Sequence, residues 1–301
     1  MPTAIDLRAE IDDEKRQRIV EHQARVRAGD RMNLTLSASP SRLNLLAMGD
    51  SWFDYPFPIP KIGQSDVVAH LKRLPAVAPE ILSLAHYGLA TDELMGTTRR
   101  TELLAQLRDQ KNGKFDAILF SGGGNDLAGD QFRLWLNSHA TSPTVPLNTA
   151  RVGHILGVIR AGYEDLIAAR DEVDKALPIF AHGYDFAIPD ARKVSCAGPW
   201  LQPGFADRGW ANLQSNTEIV KDLLGQFDGL LHKLEKAHPN FIHVKTQGTL
   251  GAGVDQWANE LHPTPDGFAA IAGVFVQALA NRFPGRIGPA GIANLVLHAA
   301  P

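Results

Sequence analysis

The sequence is poor in the features that mark disulfide-bonded, membrane-spanning and nucleic-acid-binding proteins. Of its 301 residues only Cys196 is a cysteine. No disulfide can form within the chain, which fits a reducing compartment, and we expect this lone thiol to be structural. No apolar stretch approaches the roughly 18 residues that a membrane span needs. The net charge is −3, and no local run supplies the positive field that nucleic acids require.

The amino-terminal residues also lack a basic start followed by an apolar core, which a secretory signal would need. We therefore expect a cytoplasmic protein with no integral membrane segment and no nucleic-acid partner. The ordinary balance of 44% hydrophobic and 21% charged residues is typical of a globular protein.

The first 40 residues differ in composition from the rest. The segment from Ala4 to Ala28 is rich in charges and has sparse apolar positions, which predicts a solvated helix with a narrow apolar stripe. Ser37 to Ser41 has the composition of a linker. We expect residues 1–40 to be a helical extension and linker, and residues 41–301 to form the main domain. The helix could dock on that domain, or it could join two copies of the chain as a homo-oligomer.

Beyond this extension, strand-like and helix-like segments alternate. The predicted strands are Arg42–Ser51, Glu80–Gly88, Phe115–Ser121, Leu177–His182 and Asn240–Thr246. The predicted helices are Asp66–Leu74, Thr91–Gln110, Thr149–Ala176, Gly209–Ala237 and Thr264–Arg282. Strands buried on both faces and separated by helices are typical of a parallel sheet with helices on each side. Two long irregular segments, Asp126–Asn148 and Asp185–Trp210, are typical of lids or walls of a functional site.

Four groups of polar or glycine residues fall where these elements meet. Ser51 ends the first strand in the tripeptide Gly-Asp-Ser, and Gly88 ends the second. Asn125 follows the third strand in the run Ser-Gly-Gly-Gly-Asn-Asp, and His262 lies between the fifth strand and the last helix. In a parallel sheet these four segments share one edge, where open α/β sheets bind their ligands.

These residue types suit acyl transfer. A serine hydroxyl is a weak nucleophile until a base accepts its proton, and His262 supplies an imidazole that titrates near neutrality. The developing oxyanion needs fixed donors, each worth about 3 kcal/mol in the barrier. The glycine-rich turn could instead cradle a phosphate, but Leu127 stands where the third glycine of a Gly-x-Gly-x-x-Gly motif belongs. The sequence therefore favours a Ser51 nucleophile.

The four ordered blocks resemble those of the SGNH hydrolase superfamily, also called GDSL esterases and lipases, over roughly Arg42 to Arg282. The resemblance implies a flavodoxin-like, three-layer α/β/α sandwich and a serine hydrolase that acts on esters. Ser51 would be the nucleophile and His262 the base. The oxyanion would be held by the backbone N–H groups of Ser51 and Gly88 and by the side-chain amide of Asn125.

One position departs from the family pattern. The superfamily usually has aspartate three residues before the histidine, and here that position is Asn259. The third group of a triad orients the imidazole and stabilises its charged form. Asn259 could accept the hydrogen bond through its carbonyl oxygen, although it brings no charge. Asp255, Glu260 or a backbone carbonyl could take the same role, and the sequence leaves these alternatives open.

The resemblance implies that residues 41–301 form an SGNH hydrolase-like domain. We expect this domain to hydrolyse short-chain acyl or acetyl esters of small molecules, lipids or carbohydrates. Trp52, Tyr55 and His182 are candidates for a substrate wall. No cofactor and no metal are expected. Two alternatives stay open: an acyltransferase using the same acyl-enzyme, and a catalytically silent protein that binds an acylated ligand. The missing aspartate supports the second alternative.

Overall fold

The computed structural model describes residues 4–33, 42–57, 65–75, 77–194, 197–251 and 253–287. Its strands are β1 (Asn44–Gly49), β2 (Glu80–Ser83), β3 (Ala117–Ser121), β4 (Ile179–His182) and β5 (Phe241–Val244). They form one sheet in the order β2-β1-β3-β4-β5, and every neighbouring pair is parallel. The predicted five-stranded parallel sheet is confirmed, although each strand is shorter than its apolar segment.

Helices cover both faces of this sheet. They are α1 (Ala4–Asn33), α2 (Val67–Lys72), α3 (Thr91–Leu94), α4 (Thr97–Arg108), α5 (Gly124–Leu127), α6 (Phe132–Trp135), α7 (Thr149–Asp171), α8 (Gln202–Asp207), α9 (Leu213–Ala237) and α10 (Pro265–Arg282). Phe120 of β3 packs on Tyr163 of α7, with ring centroids 5.1 Å apart. Its strand neighbour Leu119 pairs in register with Phe180, which packs on Phe283, just after α10. Because successive side chains of a strand point to opposite faces, α7 and α10 lie on opposite sides, and the three-layer sandwich is confirmed.

The strand order fixes where a site can form. α2 follows β1 and packs against α10, whereas α7 follows β3 and packs against α4 and α9. The chain therefore leaves the adjacent strands β1 and β3 toward opposite faces, which opens a crevice at their carboxyl ends. In doubly wound sheets ligands bind at this switch point. Ser51 and Asn125 lie just beyond these two strand ends.

One predicted helix is interrupted in the structure. The segment Thr91–Gln110 divides into α3 and α4, and Gly96 is the residue that caps the amino terminus of α4. Glycine loses more conformational freedom in a helix than other residues, which favours a break at this position. The two irregular segments contain the short helices α6 and α8. The candidate linker Ser37–Ser41 and Cys196 lie outside the described residues.

Helix α1 is tied to the rest of the described chain by polar contacts. Arg18 donates to Asp54 Oδ1 and to the Ala85 carbonyl, each at 3.0 Å. Lys15 is buried and its Nζ lies 3.1 Å from Glu102 Oε2. These contacts dock the helix beside β2, the first of the two roles that the sequence left open. Within the described part of the chain, no helix combines the length and apolarity required to cross a membrane.

Candidate active site

A tight turn after β1 presents the Ser51 hydroxyl. A Cβ atom at Gly49 would lie 2.6 Å from the Ser121 carbonyl oxygen, so only glycine lets β1 approach the end of β3 this closely. Asp50 then folds the turn, because its Oδ1 accepts the Trp52 N–H at 3.1 Å and its carbonyl accepts the Phe53 N–H at 3.0 Å. Ser51 is 8% exposed at the tip of this turn.

His262 reaches Ser51 from the segment before α10. Ser51 Oγ lies 2.7 Å from His262 Nε2, although the two residues are 211 positions apart. The Trp52 indole N–H donates to the Leu261 carbonyl at 3.0 Å, which ties the serine turn to the histidine segment. The structure therefore brings together the two side chains predicted as nucleophile and base.

Asn259 is the partner of the second imidazole nitrogen. Its Oδ1 lies 3.0 Å from His262 Nδ1 and accepts the backbone N–H groups of Leu261 and His262, also at 3.0 Å. Two backbone donors require an oxygen at this position, so the amide orientation is fixed. Nδ1 must then carry the proton, which leaves Nε2 bare to accept the Ser51 proton. Tyr55 supports this arrangement because its hydroxyl accepts from Asn259 Nδ2 at 3.3 Å.

Burial keeps His262 in the neutral form that a base needs. The residue is 7% exposed, and burial lowers its pKa to about 3. Asparagine accepts the Nδ1 hydrogen bond without adding a negative charge that would stabilise imidazolium. The arrangement thus provides a correctly oriented imidazole that stays uncharged far below neutral pH.

The two other carboxylates considered from the sequence lie elsewhere. Asp255 is exposed, in a 3₁₀ turn that spans Val254–Gln256. Glu260 is fully buried and points away from the imidazole, toward the segment before α8. Its carboxylate accepts the backbone N–H groups of Ala191, Trp200, Leu201 and Gln202 at 2.6 to 3.1 Å. Glu260 therefore fixes the irregular segment against the histidine segment.

Replacing Glu260 by glutamine is expected to lower the free energy of unfolding by about 2 kcal/mol, because one amide NH₂ would face backbone donors that need an acceptor. Urea denaturation followed by circular dichroism measures the change. Glu164→Gln is the matched control, since the pair that Glu164 forms with Arg160 is largely exposed and such pairs contribute at most about 1 kcal/mol. Equal stability of the two variants would contradict the anchoring role.

The structure places the predicted oxyanion donors Asn125 and Gly88 in different cavities. Asn125 lines the cavity beside Ser51 and donates one amide N–H to the Leu89 carbonyl at 2.9 Å. An amide carries two N–H bonds, so its second one is the candidate donor. Gly88 has a φ of 80° and is exposed, and it borders a different cavity, between α1 and α4. Gly124, which directly precedes Asn125, donates its N–H to the Tyr184 hydroxyl at 2.9 Å.

A chain of buried hydrogen bonds lies beneath the serine turn. Tyr184 Oη donates to Asp50 Oδ2 at 2.5 Å, and Ser121 Oγ donates to Asp50 Oδ1 at 2.7 Å. His182 Nδ1 accepts the Tyr184 N–H at 3.2 Å, so Nε2 carries the proton and donates to Ser121 Oγ at 2.9 Å. Burial raises the pKa of Asp50 to about 6, and burial, aided by the neighbouring His243, lowers the pKa of His182 to about 3. In the sequence this network is marked only by the polar residues at the ends of β3 and β4.

An apolar cavity of about 50 Å³, partly open to solvent, begins at Ser51 and His262. Its apolar lining includes Leu127, Phe132, Leu201, Val220, Leu223 and Leu224. Of the three residues proposed for a substrate wall, Trp52 lines the cavity, whereas Tyr55 packs against the His262 ring at 4.9 Å. His182 does not line it. That side chain is fully buried beneath Trp52 and Phe53, because it ends β4 on the face covered by α10.

No protein-family model matches the chain, and no curated protein matches it. Among solved structures, a lipase from a goat rumen metagenome is similar with a TM-score of 0.50 and 18% identity, over 82% of this chain and 99% of the lipase. An extracellular lipase from Streptomyces rimosus has a TM-score of 0.49 and 18% identity, over 78% and 99%. A family 3 carbohydrate esterase from Clostridium thermocellum has a TM-score of 0.46 and 15% identity, over 82% and 100%. The described fold is thus similar to that of a known lipase, which agrees with the α/β/α sandwich expected from the sequence.

Proposed function

We propose that this protein is a serine esterase that hydrolyses carboxylic esters through an acyl-enzyme on Ser51. The observation that carries the proposal is the hydrogen-bonded series Ser51–His262–Asn259, with distances of 2.7 and 3.0 Å. A nucleophile bonded to a base, which is in turn oriented by a third group, is the arrangement that nucleophilic acyl transfer requires.

The geometry supports a two-stage reaction. Ser51 Oγ attacks the ester carbonyl carbon while His262 Nε2 accepts its proton, and the carbonyl oxygen becomes an oxyanion. The Ser51 N–H and the free N–H of Asn125 stabilise that charge, and Gly88 could contribute only after the segment that bears it moves toward Ser51. Collapse of the intermediate breaks the bond to the alcohol, which takes the proton from His262. Water, activated by the same imidazole, then releases the acid and restores the serine.

The cavity indicates the part of the ester that is buried. Its walls next to Ser51 are almost entirely aliphatic and aromatic, and they include consecutive turns of α9 through Val220, Leu223 and Leu224. Such a surface favours a hydrocarbon chain, since each buried CH₂ group contributes about 0.8 kcal/mol. We infer that the acyl chain occupies this cavity and that the alcohol faces solvent. Within the expected range of short-chain acyl and acetyl esters, this cavity favours an acyl chain of a few carbon atoms over acetyl.

Labelling with an alkyl fluorophosphonate tests the proposal. Ser51 Oγ would form a bond to phosphorus, fluoride would leave, and the hydroxyl proton would pass to His262. Peptide mass spectrometry is expected to find one adduct, on Ser51, in the native protein and none in the urea-denatured protein. Labelling that is equal in native and denatured protein would reject an activated serine. Labelling elsewhere with Ser51 unmodified would reject it as well.

Substituting Leu223→Trp is expected to shorten the preferred acyl chain. The indole would fill cavity space, so kcat/KM for a butanoyl ester should fall at least about tenfold relative to an acetyl ester, since one methylene group in a hydrophobic pocket is worth about 1–3 kcal/mol. Steady-state hydrolysis of aryl esters of increasing chain length measures the ratio. Leu213→Trp is the control, because Leu213 lies on the same helix and is 47% exposed. An unchanged ratio in Leu223→Trp would place the acyl group outside this cavity.

A further inference from the structure

A group of two histidines and one glutamate lies between α9 and β5, apart from the serine site. His232 and Glu235 are one helical turn apart on α9, and His243 lies on β5. One donor atom from each residue lies within 4.8 Å of those of the other two. None of the three lines the cavity at Ser51. The group therefore needs an explanation of its own.

The imidazoles in this group have unused nitrogen atoms. His243 has a fully buried side chain, and its Nδ1 has no hydrogen-bond partner among the residues that the structure describes. The Nδ1 atom of His232 is likewise buried without one. Buried polar atoms are nearly always paired, because leaving one unpaired costs about 1–3 kcal/mol. Two such nitrogens beside a carboxylate therefore indicate that a ligand belongs between them.

The surrounding contacts hold the three side chains close together. Glu235 Oε1 accepts the His243 backbone N–H at 3.0 Å, and Glu235 Oε2 lies 3.6 Å from His232 Nδ1. On the other side of the ring, His243 Nε2 lies 2.9 Å from Asp228 Oδ1, although the contact is out of line for a hydrogen bond. Because Nε2 faces Asp228, Nδ1 is the nitrogen left for a ligand. Histidines that bind a metal through one nitrogen usually have a carboxylate, a backbone carbonyl or water at the other nitrogen.

We propose that His232, Glu235 and His243 bind a divalent transition-metal ion of the zinc type. Two imidazoles and one carboxylate suit zinc far better than magnesium or calcium, which prefer oxygen ligands. Ligand atoms on tetrahedral zinc lie about 3.3 Å apart, so the present spacing of up to 4.8 Å requires a closure of at most about 1.5 Å. His232 and Glu235 can provide it, since their side chains are 43% and 32% exposed. The remaining coordination positions would be filled by water.

Such an ion would connect the last turns of α9 to the edge strand β5. An ion that binds only the folded chain stabilises it by mass action. The site therefore predicts zinc-dependent stability that is independent of ester hydrolysis.

Zinc binding by the untagged full chain tests this proposal. After treatment with a chelator, the protein is titrated with ZnCl₂ in competition with a chromogenic chelator, and thermal unfolding is recorded at each zinc concentration. We expect about one zinc ion per chain and a rise in Tm. His232→Ala and Glu235→Gln should each raise the Kd for zinc at least about tenfold, the effect that loss of a contact in a metal site commonly has. Cobalt should give the visible absorption bands of a four-coordinate nitrogen–oxygen site.

His154→Ala is the matched control, since His154 is an exposed helical histidine of α7, and its Kd for zinc should equal that of the wild type. His232 and Glu235 are partly exposed, so their substitution should leave the apo fold intact, as the apo Tm will report. Zinc binding of wild-type strength in both variants would overturn the proposal. A wild-type protein that binds no zinc at stoichiometric concentration would overturn it too.

Discussion

Ser51→Ala is expected to lower kcat/KM for an aryl ester by about 10⁵-fold, because loss of a triad nucleophile removes the acyl-enzyme route and leaves only oxyanion stabilisation and binding. The hydroxyl is the group 2.7 Å from His262 Nε2, and alanine leaves that imidazole without an attacking partner. Initial rates with a chromogenic ester of four to eight carbons measure the loss, with the protein concentration raised to reach the residual rate.

Ser83→Ala is the matched control for this experiment. Ser83 is also a buried serine at a strand end, and its hydroxyl has no hydrogen-bond partner within the described part of the chain. Its removal should leave both the rate and the Tm near wild-type values. If Ser51→Ala and wild type hydrolyse the ester equally fast, the serine mechanism is wrong. If neither exceeds the buffer rate while the ester still binds, the silent-binding alternative is favoured.

The ordered blocks predict that Ser51, Asn125 and His262 lie near one another, because a parallel sheet brings the segments that bear them to one edge. Each residue lies at or just after a strand, or between a strand and a helix, and all parallel strands end at one edge. Apolar runs of four to seven residues locate such strands well. Once the sheet is recognised, residues 211 positions apart become neighbours without any knowledge of side-chain packing.

The details that depend on side-chain direction could not be predicted in the same way. Asn259, Asp255 and Glu260 lie within six positions of one another, and sequence spacing does not tell which of them faces the imidazole. The backbone N–H groups around each oxygen decide this. Those of Leu261 and His262 hold Asn259, whereas Glu260 is held by donors from about 60 to 70 positions away.

The apolar walls of the cavity at Ser51 and the group of His232, Glu235 and His243 could not be predicted from the sequence for a related reason. Val220, Leu223 and Leu224 fit an ordinary amphipathic helix, and periodicity cannot distinguish a residue that packs on the sheet from one that lines a cavity. His243 lies in a strand eight positions after Glu235, so its approach to α9 depends on the turn between them. Polar atoms left unpaired after folding become visible only when the contacts are known.

The Asn259 variants test how an uncharged residue can complete the triad. Asn259→Leu is expected to lower kcat/KM by about 10³-fold, since the wrong imidazole tautomer alone costs a serine protease about 10⁴-fold and the backbone still holds part of the geometry. Asn259→Asp retains the Oδ1 acceptor and adds a negative charge beside Nδ1. Its kcat/KM near neutral pH should rise about tenfold, because the carboxylate stabilises the imidazolium formed during attack.

The pH dependence provides the second readout for Asn259→Asp. The base must be neutral to act, and burial lowers the pKa of His262 to about 3, so wild-type activity should persist as the pH falls through 6 and 5. A carboxylate partner favours the charged imidazole and raises its pKa, so the acid limb of kcat/KM should move to higher pH in Asn259→Asp. Asp255→Asn serves as the control and should match the wild-type profile, because Asp255 is exposed. An acid limb that moves with Asp255→Asn and not with Asn259→Asp would assign the orienting role to Asp255. A triad completed by asparagine therefore stabilises the imidazolium less than one completed by aspartate, and its base remains uncharged at lower pH.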